Sequence, residues 1–307
     1  MIASCTAIIP AYNSAQYVAD AIESALAQTA RPSQIIVVND GSTDNTDAVL
    51  APYENRITTI RQKNQGLPAA RNTGLRAATG DCIAFLDADD CWHPRKIELQ
   101  MDLLNRRPDI GAVGTATFEH PAPVMPALAA EIPLQEVPLT RLLVRNCVTA
   151  SSVMVRREIA DRVGEFNPTL PNAEDLDYWQ RSAELSGFAI LKSPLTGYRL
   201  VPGSLSRRPI AMETGIRSVL KMLDERDAWR GRPWLRRKAI SHLHYSCANL
   251  YAAAGQPAVA LKRLLQSLAW YPLPFDRSET GAAMVRPRRA AVLLLRLLHL
   301  MRPEGLA

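Results

Sequence analysis

Cysteine is scarce in this chain of 307 residues, and the five present (Cys5, Cys82, Cys91, Cys147 and Cys247) are odd in number, dispersed and never closely paired. That pattern excludes a disulfide framework and a zinc-ligand spacing, and it fits a reducing compartment such as the cytoplasm. Long hydrophobic runs are missing as well: nothing approaches the roughly 20 uninterrupted apolar residues of a membrane-spanning helix. No basic segment precedes the short apolar run at the N-terminus, so no signal peptide is expected. A glycine-rich, lysine-bearing triphosphate loop is also lacking near the N-terminus, which argues against a nucleotidyltransferase. No recognised nucleic-acid motif and no basic stretch interleaved with aromatics occurs, so nucleic acid is not an expected partner.

What remains is an ordinary globular composition, 47% hydrophobic and 21% charged, in a chain long enough for one large domain and an appendage. The net charge of +6 is unevenly spread. From Arg207 onward there are 18 Lys/Arg against 7 Asp/Glu, whereas residues 1–206 carry 18 against 23. An acidic front and a basic tail predict a tail that faces phosphate or anionic lipid.

The first third alternates strand and helix patterns. Thr6–Pro10, Gln34–Asn39, Ile57–Arg61 and Cys82–Leu86 read as short buried strands, separated by helical spacing over Ser14–Gln28 and Pro68–Ala78. Such an order predicts a mostly parallel sheet with helices on both faces. The proline-rich stretch from Glu119 to Leu139 predicts an irregular segment. Thr149–Val155 reads as a further strand, and Arg156–Val163 and Leu176–Leu185 read as helices. Beyond Ser206 the pattern is helical, with Pro233 opening a helix that Gly255 closes and Pro257 opening the next. The stretch Arg288–Arg302 places Arg289, Arg296, His299 and Arg302 on a narrow stripe within a wide leucine-rich face. Two readings of it stand open: packing within its own domain, or peripheral contact with a membrane surface through 288–302.

The chemistry concentrates where strands end. Phe85-Leu86-Asp87-Ala88-Asp89-Asp90 stops a buried strand in three carboxylates, at the sheet edge where parallel folds bind ligands. Hard divalent ions bridge such carboxylates to substrate phosphates, and the plain alternative is a solvated acidic turn. Pro10-Ala11-Tyr12-Asn13 and Asn39-Asp40-Gly41-Ser42 should be neighbours at the same edge. There Asp40 can accept a hydrogen bond from a base and Tyr12 can stack on a ring; a helix cap followed by a turn explains Asp40 equally well. Asn64-Gln65-Gly66 leads into a helix start with Arg71 one turn in, an arrangement suited to phosphate. Glu174-Asp175 opens another helix, where acids also serve simply to satisfy the dipole. The five histidines read as structural.

Taken in order, these segments (IIPAYN, VVNDGSTDNT, NQGLPAARNTGLRAATGD, FLDADD, AEDLDYWQR and YRLVPGSLS) resemble the family 2 glycosyltransferases of the GT-A fold, over about residues 4–206. The resemblance implies a Rossmann-like α/β domain over 1–206. Its nucleotide-sugar half is 1–115 and its acceptor half 116–206, followed by a basic helical region over 207–307. It implies Asp87 and Asp89 as the metal-binding acids, with Asp90 beside them and Mg²⁺ or Mn²⁺ as cofactor. It places base recognition on Asp40, and the general base on Asp175 with Glu174 adjacent. Pro10, Tyr12, Asn13, Asn64, Gly66, Arg71, Asp87 and Ala88 complete the expected nucleotide-sugar site.

The activity implied is inverting transfer from a nucleoside diphosphate sugar, a UDP-sugar by family default, to a hydroxyl of a carbohydrate or lipid-linked saccharide. A cytoplasmic hexosyltransferase of cell-surface polysaccharide synthesis is the expectation, either free or peripheral at the inner face of the membrane. The Gln-x-x-Arg-Trp signature of processive synthases is absent, so single addition is expected. Two alternatives stand beside this: a polyprenyl-phosphate acceptor, and a catalytically silent sugar-nucleotide scaffold.

Overall fold

The computed structural model describes residues 1–121, 125–170, 172–201, 204, 208–275 and 282–297, without the side chains of 282–284 and 296–297. Two compact units result, residues 1–142 with 146–202, and residues 143–145 with 203–307.

The first unit is built on one nine-stranded sheet. Its strands are β1 (Cys5–Ala11), β2 (Gln34–Asp40), β3 (Thr58–Gln62), β4 (Cys82–Phe85), β5 (Cys91–Trp92), β6 (Ile110–His120), β7 (Leu134–Glu136), β8 (Met154–Arg156) and β9 (Gly187–Arg199). They lie in the order β3-β2-β1-β4-β8-β6-β9-β5, with β7 also on β9. β1, β2, β3 and β4 are mutually parallel, and β6 and β9 run the same way, while β5, β7 and β8 are reversed. The sheet is therefore mostly parallel, and the carboxyl ends of six strands gather along one edge.

Helices α1 (Val18–Leu26), α2 (Thr46–Leu50) and α4 (Lys96–Arg106) cover one face; α3 (Leu67–Ala77), α6 (Arg157–Val163) and α7 (Glu174–Leu185) cover the other, where the short α5 (Leu139–Leu142) also lies. Strand alternation explains the division. Ala7, Ile9, Val37 and Ala84 pack with Val18, Ile22, Leu50 and Ile97. Ile8, Ile36, Val38, Ile83 and Phe85 pack with Ala70, Ile159, Tyr178 and Trp179. Central strands buried on both faces read as continuous apolar runs, which is why IIVV and CIAF carry no polar alternation. Gly74 lets α3 press on β1: a Cβ there would stand 2.4 Å from Ile8 Cγ2.

The second unit is helical: α8 (Pro209–Glu225), α9 (Pro233–Ala253), α10 (Pro257–Trp270) and α11 (Ala282–Leu297). Its core joins Leu243, Cys247 and Tyr251 of α9 to Ala260 and Leu264 of α10 and Leu293 of α11. Among the described residues no helix is long and apolar enough to cross a membrane.

Several expectations need correction. Thr149–Val155 is not one strand: Ala150–Ser152 form a 3-10 turn and only Met154–Arg156 pair in the sheet. The cause is local polar competition, because the Ser152 amide and hydroxyl both donate to Thr149 O and Ser151 turns inward. β6, β9 and α4 were not anticipated at all. The first helix begins at Val18 and not Ser14, since residues 13–15 bond to residues 42–46 instead. The segment 119–139 is not wholly irregular, for β6 runs to His120 and β7 pairs with β9. The last helix spans Ala282–Leu297 and runs through Pro287, so it begins before the 288–302 stretch read from the sequence. Within it Leu293 is buried and Arg289 lies over the Tyr245 ring, 5.7 Å from its centroid, so part of the expected cationic stripe faces its own unit. His299 and Arg302, and the loop residues Gly203, Leu205 and Ser206, lie outside the described residues.

Candidate active site

Four strand ends and one helix start meet at the carboxyl edge of the sheet, and hydrogen bonds between distant loops hold them there. After β1, the Asn13 amide donates to Ser42 Oγ (2.9 Å) and Asn13 Oδ1 accepts from the Thr43 amide (2.8 Å). Asn13 itself sits at φ +49°, a left-handed conformation that asparagine tolerates better than most residues. Pro10 is buried beside these turns, and Tyr12 stands out from them half exposed at 50%. Its ring is thus available on the surface of the edge.

Asp40, at the end of β2, is buried. Its Oδ1 accepts from Gln62 Nε2 (2.7 Å) and the Gln65 amide (2.9 Å), and its Oδ2 accepts from the Gly66 amide (2.8 Å). A carboxylate offers about four lone-pair positions, so about one remains for a ligand N–H. Gly41 keeps this turn close to the 64–66 loop: at φ +72° a Cβ would lie 2.7 Å from the Asn64 backbone nitrogen. Asn64 is exposed at that loop, and Gly66 (φ +88°) opens α3.

Arg71, in the second turn of α3, is only 2% exposed. One guanidinium nitrogen donates to Asp87 Oδ1 (2.6 Å) and the other terminal nitrogen to Glu174 Oε1 (2.5 Å). Burial pulls its pKa down, but the two carboxylates outweigh that effect and hold it above the ordinary arginine value. Its charge is committed to protein carboxylates, where a direct phosphate contact was one expectation.

The acids after β4 divide by environment. Asp87 keeps about a third of its side chain exposed beside Arg71. Asp89 is half-buried; burial first, and the Asp87 charge second, push its carboxyl up to about 6. Asp90 is 1% exposed and accepts from the Ser151 hydroxyl (2.5 Å) and the Arg199 amide (2.9 Å). Burial, then Asp87 and Asp89, push it up to about 8. Ala88 between them is buried.

This loop therefore holds more negative charge than its protein partners offset. A divalent ion would relieve that excess. Among the described residues no group of three or more metal-ligating side chains is assembled. The donors suit a hard ion bound by one or two carboxylates that takes its remaining oxygens from a diphosphate and water, and they do not suit a closed protein cage.

On the opposite side of Arg71, the Glu174-Asp175 pair separates into two roles. Glu174 is 3% exposed and tied to Arg71. Asp175 is half-buried, with Oδ2 accepting from Asn146 Nδ2 (2.7 Å) and Oδ1 from the Leu176 amide (2.7 Å). Burial and the Glu174 charge push its carboxyl up to about 6, with Arg71 and Asn146 working against them. The helix start is anchored from below by Phe85, Phe166, Tyr178 and Trp179. Phe166 stacks on Tyr178 at 4.0 Å and lies edge-on to Phe85 at 5.3 Å.

Three residues at the site went unassigned in the sequence. Ser151 accepts from the Asp87 amide (3.0 Å) while its hydroxyl holds Asp90, so it shapes the acidic loop from both ends. Arg199 donates to the Asp89 carbonyl (2.9 Å) and to Asp20 (2.7 Å), pinning the loop to α1; its only signal was its place in the YRLVPGSLS segment. Asn146 carried no signal. Burial lowers His242 to about 3 and His244 to about 4, so both are neutral at pH 7.

A mostly parallel α/β sheet with acids gathered along the carboxyl edge of its strands has the architecture of a ligand-binding doubly wound fold. The chain belongs to glycosyl transferase family 2, whose profile matches residues 6–164. It is similar to the putative teichuronic acid biosynthesis glycosyltransferase TuaG of Bacillus subtilis, 31% identical over 208 residues, 65% of this chain and 80% of that protein. The chain spans only 26 to 30% of the length of the first rickettsial glycosyltransferases it matches.

Among solved structures, S. aureus TarS 1-349 in complex with UDP-GlcNAc has a TM-score of 0.64 at 17% identity, with 98% of this chain and 93% of that chain covered. The mannosyltransferase PcManGT of Pyrobaculum calidifontis, in complex with GDP-Man and Mn²⁺, has a TM-score of 0.60 at 18% identity, with coverage of 96% and 82%. At these identities the structures establish the shared GT-A fold.

Proposed function

We propose that this protein moves a hexosyl group from a nucleoside diphosphate sugar, a UDP-sugar in the first instance, to an acceptor hydroxyl with inversion at the anomeric carbon. The observation that carries the reading is the arrangement around Arg71: Asp87 on one side and the Glu174-Asp175 helix start on the other, with Asp89 beside Asp87. Residues 1–115 would bind the donor and 116–206 the acceptor, with the helical region from 207 appended.

In this reading Tyr12 stacks on the base, Asp40 accepts its ring N–H through the remaining lone pair, and Pro10, Asn13, Asn64 and Gly66 shape the nucleoside cleft. Asp89 and Asp87 would hold Mg²⁺ or Mn²⁺. When bound, the ion supplies positive charge to the departing diphosphate. Asp175 removes the acceptor hydroxyl proton as general base, and an apparent pKa of about 6 leaves it ionised yet still basic near neutrality. Glu174 and Arg71 are positioning residues that fix Asp175 relative to the acidic loop. Attack from the face opposite the leaving group would invert the anomeric centre, as the family resemblance implies.

Similarity to TuaG supports a cell-surface polysaccharide or glycoconjugate as the acceptor class. The five free cysteines support a cytoplasmic location. An intact, hydrogen-bonded Asp175 argues against a silent scaffold.

The test is calorimetric titration with UDP, GDP, CDP and dTDP, each with Mn²⁺ and with EDTA. Metal-dependent binding of one diphosphate is expected, and loss of that binding in Asp89→Asn. A folded sample that binds none of them overturns the proposal.

A further inference from the structure

The helical unit carries an end surface that the transferase reading leaves unused. Of the five tryptophans, Trp92, Trp179 and Trp229 are buried, while Trp234 is 51% exposed and Trp270 37%. The two exposed ones lie at the same end of the unit, because α9 and α10 are antiparallel there. Arg237 donates to the Trp270 carbonyl (3.2 Å) and sits 5.9 Å from the Trp270 ring centroid, and Trp234 lies one turn before Arg237 on the same helix face. Leu273, 57% exposed, extends the apolar edge.

Arginine and lysine surround these rings. Arg230, Arg232 and Arg237 are exposed, and Lys238 Nζ lies 5.9 Å from the Tyr271 ring centroid. Asp224 is occupied by Arg236 (2.7 and 2.9 Å) and by the Trp229 indole N–H (2.7 Å). That triad anchors the 224–236 turn.

The surface is also held in shape from within. Buried Arg286 donates to the Tyr271 carbonyl (2.7 Å) and to the Leu273 carbonyl, and its guanidinium lies 4.1 Å from the Phe275 ring centroid. A buried guanidinium is therefore used to fix a segment whose side chains Trp270 and Leu273 point to solvent. Rigid indoles flanked by cations match the headgroup layer of a bilayer, where tryptophan and tyrosine concentrate and basic residues meet anionic lipid.

We propose that the α9 start and α10 end, through Trp234, Arg237, Lys238, Trp270 and Leu273, dock this protein on the surface of an anionic lipid bilayer. Binding is peripheral, with the indoles in the interfacial layer and the cations against lipid phosphates. Within the described part of the 288–302 stretch, Leu293 faces the core of its own unit.

The test uses the full chain with vesicles of phosphatidylcholine, with and without one-third phosphatidylglycerol, followed by co-sedimentation and tryptophan emission. Binding to the anionic vesicles alone is expected, with a blue shift that Trp234→Ser/Trp270→Ser abolishes. Arg237→Gln/Lys238→Gln should weaken partitioning by about 30-fold, two charges at the usual contribution of each. Lys221→Gln/Lys262→Gln removes the same charge from exposed sites elsewhere in the unit and should retain binding. The proposal is overturned by equal losses in the two charge variants or by no binding to anionic vesicles. It is likewise overturned by a concentration-dependent dimer in sedimentation that the tryptophan variant dissolves, which would make the surface a self-association face.

Discussion

Replacing Arg71 with methionine is the sharpest perturbation available. The side chain is 2% exposed and bonded to two carboxylates, one of them, Glu174, with only 4% of its side chain exposed. Methionine fills much of the volume and removes the charge, leaving Glu174 buried without its cation and Asp87 unpaired. Breaking a buried pair from one side costs about 3–5 kcal/mol, because the abandoned charge retains its desolvation penalty. The Asp87 contact, nearer to solvent, adds little to that figure.

In urea unfolding followed by near-ultraviolet dichroism of the Phe85–Trp179 aromatic cluster, Arg71→Met should lose about 3–5 kcal/mol, and Arg71→Met/Glu174→Gln should recover at least about half of it. Arg71→Lys should lose less than methionine, since an ammonium keeps one carboxylate paired, but it should not match arginine because it cannot span both acceptors as a planar fork does. A loss below about 1 kcal/mol, or no recovery in the double variant, would refute the view that this ion triad joins α3 to α7 electrostatically.

Asp175→Asn should lower kcat by at least about 100-fold with diphosphate binding unchanged, and wild-type kcat should rise through about pH 6 as the base ionises; a flat profile counts against the assignment. In EDTA the native state holds a proton on Asp90 up to about pH 8 that the unfolded chain releases near its ordinary 3.8. The folded pKa is raised, so the native state binds more protons in that window and stability falls as pH rises between those values. Asp90→Asn should flatten that decline in Tm measured from about pH 5 to 8, and an unchanged slope would place the titration elsewhere. Gly74→Ala, with its Cβ 2.4 Å from Ile8 Cγ2, should cost about 1–3 kcal/mol in thermal unfolding while a neighbouring surface change such as Arg76→Ala does not.

Much of the fold is legible locally. Strands buried on both faces announce themselves as apolar runs, and Pro233, Gly255 and Pro257 mark helix ends where they fall. β6 escaped because a buried half runs into a partly exposed half, and β9 because Lys192, Ser193 and Pro194 interrupt its apolar run, so neither a continuous run nor a strict alternation spans either strand. The 150–152 turn was misread for a related reason: Thr149–Val155 has β-forming residues, but its hydroxyls are spent on Asp90 and the local backbone.

The order of motifs along the chain determined the family and placed the acids at strand ends, because each motif is a short segment whose strand-end position follows from its own periodicity. Tertiary structure alone decided what each acid can do. Arg71 meets Asp87 16 residues away and Glu174 103 away, and Asp90 meets the Arg199 amide across 109 residues. Those meetings make Glu174 a buried ion-pair partner, leave Asp175 as the more accessible carboxylate of the pair, and set Asp90 apart from Asp87 and Asp89. Burial and ion pairing are properties of neighbours in space, and no local pattern of residue types encodes which distant neighbour arrives.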